Sequence, residues 1–420
     1  MFSEQIAAEG GSITHRTGPL AGLKVLDFGW ALVGSLTGKY LGDHGAEVIR
    51  VESATRPDMT RVDRRFSKSS TTSLDDKPWF AHVNTSKRSL AIDLKNRASR
   101  PIIEGLIRWA DVVNENFTPG TLDKLGYSAD LMKRLNPDII LVSGSLFGQT
   151  GPLANEWGID GTGAAISGRL NLTGWPDRTP ITPNAGIFGD YVVPLVNGIA
   201  VMGALIRRAR AGQGTVIDSS MYEISAQILT PAFLDYQVTG TLQQRQGNRV
   251  AHMAPHGVFP ARGQDEWVAI AVETDAEWAA LRQVLGNPPW ACDPALTTLA
   301  GRKAAEDRIE TGIADWTRTL DRYEAMHRLQ AAGVPAGVVQ TAGDVVERDP
   351  QLRHRQFLHP VAHPILGEFG HQVAPFRLSQ TPAHPCPAPA MGEANDYVAT
   401  GLLGLSDEEF VTLIAEEVFK

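Results

Sequence analysis

The chain has 420 residues, 43% hydrophobic and 20% charged, enough for two or three domains with a sizeable core, which excludes a small stapled scaffold. Thirty-nine Lys and Arg against 47 Asp and Glu leave a formal charge of -8, so no overall field draws the protein to nucleic acid, and 41 Gly with 26 Pro predict many turns. Cys292 and Cys386 are the two cysteines and stand in unrelated contexts, which points to a reducing cytoplasm and to neither a disulfide framework nor a zinc site.

Met1 to Thr17 is polar, with Glu4, Glu9 and a Gly-Gly pair, and lacks the apolar core and cleavage site of a signal peptide; it is expected to be a tail. From Leu20 onward short β-branched runs alternate with amphipathic stretches. Lys24 to Phe28 is expected as a buried strand, Gly34 to Leu41 as a helix and Glu47 to Val51 as a second strand, together a βαβ unit. Ser53 to Asp76 breaks the rhythm. It is polar, carries Arg61, Arg64, Arg65 and Lys68 among Ser and Thr, and is long enough for a functional or interface loop. Strands then follow at Ser89 to Leu94, Asp111 to Asn114 and Ile139 to Ser143, with helices at Ser99 to Ala110 and Gly120 to Leu135 between them.

Parallel strands joined by crossover helices predict an α/β fold with a doubly wound parallel sheet. Such sheets bind ligands at the carboxyl ends of their strands, here the loops after Phe28, Val51, Leu94, Asn114 and Ser143. Beyond residue 150, Gly-rich turns lead to a helix over Tyr191 to Arg210, a strand at Thr215 to Asp218 and a helix over Met221 to Leu234. The loop-rich Gly240 to Gly263 introduces a smaller domain with a strand at Trp267 to Val272 and helices over Ala276 to Leu285, Gly301 to Trp316 and Leu320 to Ala332. The turn Gly333 to Gly337 marks the return to the larger one. The most apolar stretch, Tyr191 to Ile206, is interrupted by Pro194, Asn197, Gly198 and Gly203 and falls short of the roughly 20 residues of a membrane span, so a soluble protein without a membrane partner is expected.

Gly29-Trp-Ala-Leu-Val-Gly34 has the wrong spacing for a dinucleotide fingerprint and places Trp30 where a pyrophosphate needs bare backbone. No glycine loop ends in Gly-Lys-Ser/Thr either. The eleven histidines form neither a zincin motif nor a partner for a Gly-x-Ser-x-Gly elbow, and His252 and His256 are read as loop residues because Pro255 opposes a helix. The carboxylate that stands out is Asp190. It directly precedes an apolar helix, in an N-cap position, where free N–H groups favour the ionised form that a carboxylate nucleophile needs. Gly189 beside it leaves room for a substrate carbonyl.

The chain resembles the family III CoA-transferases, which include formyl-CoA transferase, carnitine CoA-transferase and, more distantly, α-methylacyl-CoA racemase. The resemblance rests on segments in family order along nearly the whole chain. Pro19 to Phe28 and Leu41 to Glu52 are followed by Asn84-Thr-Ser-Lys-Arg-Ser89, Glu115-Asn-Phe-Thr-Pro-Gly120, Asn136-Pro137 and Gly148 to Pro152. Gly189-Asp190, Gly212-Gln-Gly214, Gly333 to Gly337 through Asp349 to Leu352, Pro375 to Leu378 and Gly404 to Glu409 complete the series. The glycine-run loop of formyl-CoA transferase is replaced by Gly247 to Gly257, which argues against oxalate or formate as substrate, and the Gly-His-Asp of the racemase branch is replaced by Gly158-Ile159-Asp160.

The resemblance implies an acyl-CoA:carboxylate CoA-transferase in which Asp190 forms aspartyl anhydride and aspartyl-CoA thioester intermediates, with coenzyme A as substrate and no metal or redox cofactor. It implies CoA contacts at Trp30, Ala31, Ile92, Lys95, Asn116, Phe117 and Lys124. It also implies a Rossmann-like large domain from 18–224 and 333–420, a small domain at 225–332, and an interlocked homodimer or a heteromer with a related subunit. Trp30 and the missing glycine loop point to an acceptor larger than oxalate, a substituted or aromatic dicarboxylate, and succinyl-CoA is the expected donor. Two alternatives stand beside this reading: an acyl-CoA racemase or isomerase using Asp190 as general base, and a non-catalytic CoA-binding subunit.

Overall fold

The computed structural model describes residues 17–66, 73–181 and 187–420. The expected tail, but for Thr17, and Lys68 of the basic loop lie outside the described residues. The chain forms two compact units. The larger draws on both ends of the chain, ending with His354–Lys420, and the smaller comprises Asn171–Ile181 and Asp235–Arg353.

Six parallel strands build the larger unit: β1 (Lys24–Asp27), β2 (Glu47–Glu52), β3 (Lys87–Ala91), β4 (Val112–Glu115), β5 (Ile140–Ser145) and β6 (Thr215–Ser220), in spatial order β3-β2-β1-β4-β5-β6. The apolar runs explain the arrangement, because successive residues of a strand face opposite sides and both sides are covered. Leu26, Ile49, Leu90, Val113 and Leu141 face one layer, against Ile102, Ile103, Leu106 and Ile107. Val25, Val48, Val112, Ile140 and Val142 face the other, against Leu41, Val201 and Ala204.

The helices up to residue 239 are α1 (Val33–Asp43), α2 (Met59–Val62), α3 (Pro78–Val83), α4 (Arg100–Trp109), α5 (Thr121–Lys124), α6 (Ala129–Leu135), α7 (Asp160–Ile166), α8 (Phe188–Ala211), α9 (Met221–Gln227) and α10 (Thr230–Thr239), and the residues just named on them lie on α1, α4 and α8. Gly120 to Leu135, expected as one helix, is two. Gly126 takes φ 90° and Ser128 starts α6 afresh, its Oγ accepting the Leu131 N–H at 3.2 Å. Met221 to Leu234 likewise divides into α9 and the start of α10.

The α8 helix has 24 residues, longer at both ends than expected; by length and composition alone it reaches a membrane span, as the core helix of a soluble protein also can, so the expected length alone is corrected. In the fold it packs on α1, with Val193, Asn197, Val201 and Ala204 buried and the Asn197 amide donating to Thr37 Oγ1 at 3.3 Å.

In the smaller unit β7 (His256–Pro260), β8 (Trp267–Ala271) and β9 (Ala336–Val338) form an antiparallel sheet, backed by Trp278, Leu281, Ile309, Ile313 and Leu329. Because β9 pairs with β8, the Gly333 to Gly337 turn stays in this unit, and the chain re-enters the larger one at His354. There a hairpin of β10 (Leu358–His363) and β11 (Gly367–Gln372) follows.

The basic loop after β2 is anchored through Arg61, which is fully buried and not a solvent-facing cation. Its guanidinium donates to both Glu52 oxygens at 2.7 and 2.9 Å, to Asp75 at 2.7 Å and to the Pro389 carbonyl at 3.1 Å. Removing one partner of such a pair strands the other charge in a low dielectric. Arg61→Met should therefore lower the unfolding free energy by about 3–5 kcal/mol, measured by denaturant titration; a loss within error of zero would show that the ion pair carries no net stability.

Candidate active site

Chain direction across the sheet reverses between β1 and β4, and in sheets of this kind ligands bind at such a switch point, beyond the strands' carboxyl ends. The turn from β1 into α1 lies there and is gripped by side chains from four segments. Asp27 Oδ1 accepts the Gly29 N–H at 2.8 Å, and Arg50 Nη1 donates to the Gly29 carbonyl at 2.6 Å. Asn116, reaching across from the end of β4, accepts the Trp30 N–H at 2.7 Å and donates to its carbonyl at 3.0 Å. Asp58 accepts the Ala31 N–H at 2.9 Å. The two glycines of the rejected dinucleotide motif have a packing role: a Cβ on Gly34 would lie 2.4 Å from both Asn116 Oδ1 and Gly29 Cα.

Four of the expected CoA contacts therefore meet: Trp30, Ala31, Asn116 and Phe117, with the Trp30 and Phe117 rings 6.2 Å apart. The others are dispersed. Ile92 is fully buried in the core and offers main chain only, while Lys95 and Lys124 are exposed, the latter at the end of α5. Beneath Asn116, Glu115 is 5% exposed and accepts the Phe117 N–H at 2.9 Å; burial pushes its carboxyl up to about 7.

Asp190 lies in the first turn of α8, third from its start, and not at the N-cap; that position is Ile187, which makes no side-chain cap bond. The helix begins earlier because another carboxylate takes its amide. Asp160, 1% exposed at the start of α7, accepts the Gly189 N–H at 2.9 Å on Oδ2 and Arg169 Nη2 at 2.8 Å on Oδ1. Gly189 is small for this contact, since a Cβ there would lie 2.3 Å from Asp160 Oδ1. Asp160 and Arg169 are the site residues that sequence reasoning missed. No periodicity links them to residue 190, and the one available signal was the Gly-x-Asp segment read only for its missing His.

The Asp190 carboxyl is pushed up to about 7, first by burial, then by the charge of Asp160, with Arg169 opposing. It is thus not held fully ionised as its sequence position implied; it titrates near neutrality. Pro194 adds to the local irregularity, since it lacks the N–H that would close onto the Asp190 carbonyl four residues back. The neighbours of Asp190 pack on the residues that follow the gripped turn. Ile187 and Tyr191 lie against Leu32, Leu36 and Val83, and Val193 is buried with Val33. The start of α8 and the switch-point turn therefore share one end of the unit.

The CoA-transferase family III model matches residues 20–395. The chain belongs to CoA-transferase family III. It is accordingly an enzyme that transfers CoA. Among its relatives is the succinyl-CoA–D-citramalate CoA-transferase of Chloroflexus aurantiacus, 34% identical over 403 residues that cover 95% of this chain and 98% of that protein. The succinyl-CoA–L-malate CoA-transferase beta subunit of the same organism is 31% identical over 412 residues, 96% of this chain and 99% of that subunit. A solved CAIB/BAIF family protein from Brucella suis superposes with a TM-score of 0.84 at 30% identity, covering 92% of this chain and all of that one.

In a carbon-13 titration of the transferase's aspartate carboxyls, Asp190 should show a midpoint near pH 7. Asp160→Asn removes the neighbouring negative charge and releases Arg169, so the midpoint should fall by about one unit. A midpoint below 5 in the unaltered protein, or one that Asp160→Asn leaves in place, would contradict this electrostatic account.

Proposed function

We propose that the transferase moves CoA from a donor acyl-CoA to a carboxylic acid with Asp190 as nucleophile. The observation that carries this reading is a half-buried carboxylate, titrating near neutrality, in the first turn of α8 at the end of the unit that holds the gripped turn. An Asp190 oxygen attacks the thioester carbonyl, the C–S bond breaks, and CoA leaves as thiolate from an acyl-aspartyl anhydride. The thiolate attacks Asp190 Cγ and releases the donor acid, which leaves an aspartyl-CoA thioester. The acceptor carboxylate attacks Cγ in turn, and the thiolate leaves a second anhydride. Its final attack on the acceptor's acyl carbon returns Asp190 as carboxylate. Each step exchanges one anion for another, so the cycle needs neither metal nor redox cofactor.

The cluster of Trp30, Ala31, Asn116 and Phe117 takes the pantetheine arm in this reading, with Ile92 main chain, Lys95 and Lys124 towards the nucleotide end. Relatives named for succinyl-CoA support that donor and a substituted dicarboxylate acceptor. The beta-subunit relative supports pairing with a related chain; an interlocked homodimer is the other assembly in this reading, in a cytoplasmic setting. The outward apolar residues of α8, Ile199 and Ile206 at 73% and 55% exposed, fit burial in such an assembly. A racemase needs a second proton carrier beside Asp190; the position offers Ile159, 70% exposed, which has none.

Incubation with succinyl-CoA followed by peptide mass analysis should find CoA attached to the peptide that contains Asp190. Asp190→Ala should lose the adduct and about 10³-fold or more in kcat. No adduct across a panel of acyl-CoAs, with CoA binding confirmed by calorimetry, would move the assignment to general-base chemistry or to a non-catalytic subunit.

A further inference from the structure

Ala31 stands at φ 52°, in the left-handed region where a Cβ crowds the next carbonyl and which residues other than Gly seldom occupy. Its alanine side chain contributes no polar bond of its own, so the conformation must be held from outside. Asp58, fully buried, supplies the hold by accepting the Ala31 N–H at 2.9 Å on Oδ2. The same oxygen accepts Arg50 Nη2 at 2.7 Å, while Oδ1 accepts the Thr60 N–H and Oγ1 at 2.8 and 2.7 Å. With this set of partners the carboxylate cannot swing away, and the Ala31 amide meets an acceptor that is already aimed. A charged acceptor in a low-dielectric surrounding makes a stronger bond than a neutral one, which is what an unfavourable backbone conformation requires. Arg50 couples the two ends of the turn, since its other amine donates to the Gly29 carbonyl.

We propose that Asp58 is a positioning residue for acyl-CoA: through Oδ2 it holds Ala31 in the left-handed conformation and so presents the Trp30–Ala31 main chain to the thioester arm. This rests on the reading that the turn contacts acyl-CoA. Asp58 has no exposed surface, so its route to the ligand is the Ala31 main chain and not direct contact. The competing role is purely structural, as counterion of Arg50 and cap of α2.

Titration calorimetry of CoA on the whole chain separates the two. Asp58→Asn should raise the Kd for CoA about tenfold, and adding Ala31→Gly, which adopts positive φ without a side-chain clash, should recover most of that loss. An unchanged Kd in Asp58→Asn, or a loss that Ala31→Gly leaves untouched, overturns the proposal. Ala31→Pro fixes φ near about -65° and deletes the donor while leaving the Arg50–Asp58 pair intact. If it weakens CoA binding and Asp58→Asn does not, the turn keeps its place in the CoA site and Asp58 loses its role. If it leaves binding unchanged, the turn is not a CoA contact and the proposal falls with that reading. Where Asp58→Asn does not fold, hydrogen exchange at the Ala31 amide of the unaltered protein decides: slow exchange is expected, and exchange at the rate of an open amide overturns the proposal.

Discussion

Two carboxylates and one guanidinium share the space at the start of α8, and only one carboxylate can have the full set of partners. Asp160 has it, with Arg169 on one oxygen and the Gly189 amide on the other. Asp190, raised first by its own burial and then by the charge of Asp160, with Arg169 opposing, is left as the more basic anion. That division matters chemically. A carboxylate held by an ion pair and a backbone amide is a poor nucleophile, whereas one that protonates near neutrality is more basic and, in the fraction of time it is ionised, more nucleophilic. In the proposed mechanism Asp160 shapes the reactivity of Asp190 through its charge.

The proposed chemistry also demands an immobile platform, because a thiolate released in one step must return in the next without escaping to solvent. The switch point supplies one. The backbone polar groups of Gly29 and Trp30 and the amide of Ala31 are held by Asp27, Arg50, Asn116 and Asp58, which come from β1, the ends of β2 and β4, and the loop after β2. These holders are themselves cross-linked. Asp27 also bonds Lys87 Nζ at 2.7 Å and Asn114 Nδ2 at 2.7 Å, so a shift of the turn would disturb buried polar bonds that link β1, β2, β3 and β4. Burial keeps such bonds unscreened and costly to break, which converts sheet rigidity into precision at the turn.

Strands β1, β2, β4 and β5 were legible because each carries an apolar run buried on both faces, whereas β3 starts at Lys87, two residues before its expected start, and β6 alternates half-buried with exposed residues over its first four positions. The first turn of α8 was legible to within three residues from the apolar run that follows Asp190, although its true start depends on Asp160, thirty residues earlier in the chain. Long-range bonds of this kind leave no local trace. The same holds for Asp58 and Arg61, which read as members of a polar loop until their buried partners are seen. Gly189 was read as leaving room for a close approach, and the structure shows the Asp160 side chain making one. Helices were over-extended wherever a new cap, such as Ser128, begins a second helix in phase with the first. The long apolar helix misled in length, since glycines and Pro194 interrupt its sequence but not its backbone path.

The central claim is that Asp190 forms covalent bonds to both acyl groups, and oxygen tracing tests it most directly. With the acceptor acid labelled with oxygen-18 in its carboxylate, the second anhydride must break on the acceptor side, which leaves one labelled oxygen on Asp190. The account predicts label in the peptide containing Asp190 after one turnover and in the released donor acid on later ones. Turnover that delivers acceptor-CoA while the Asp190 peptide and the donor acid stay unlabelled would contradict it.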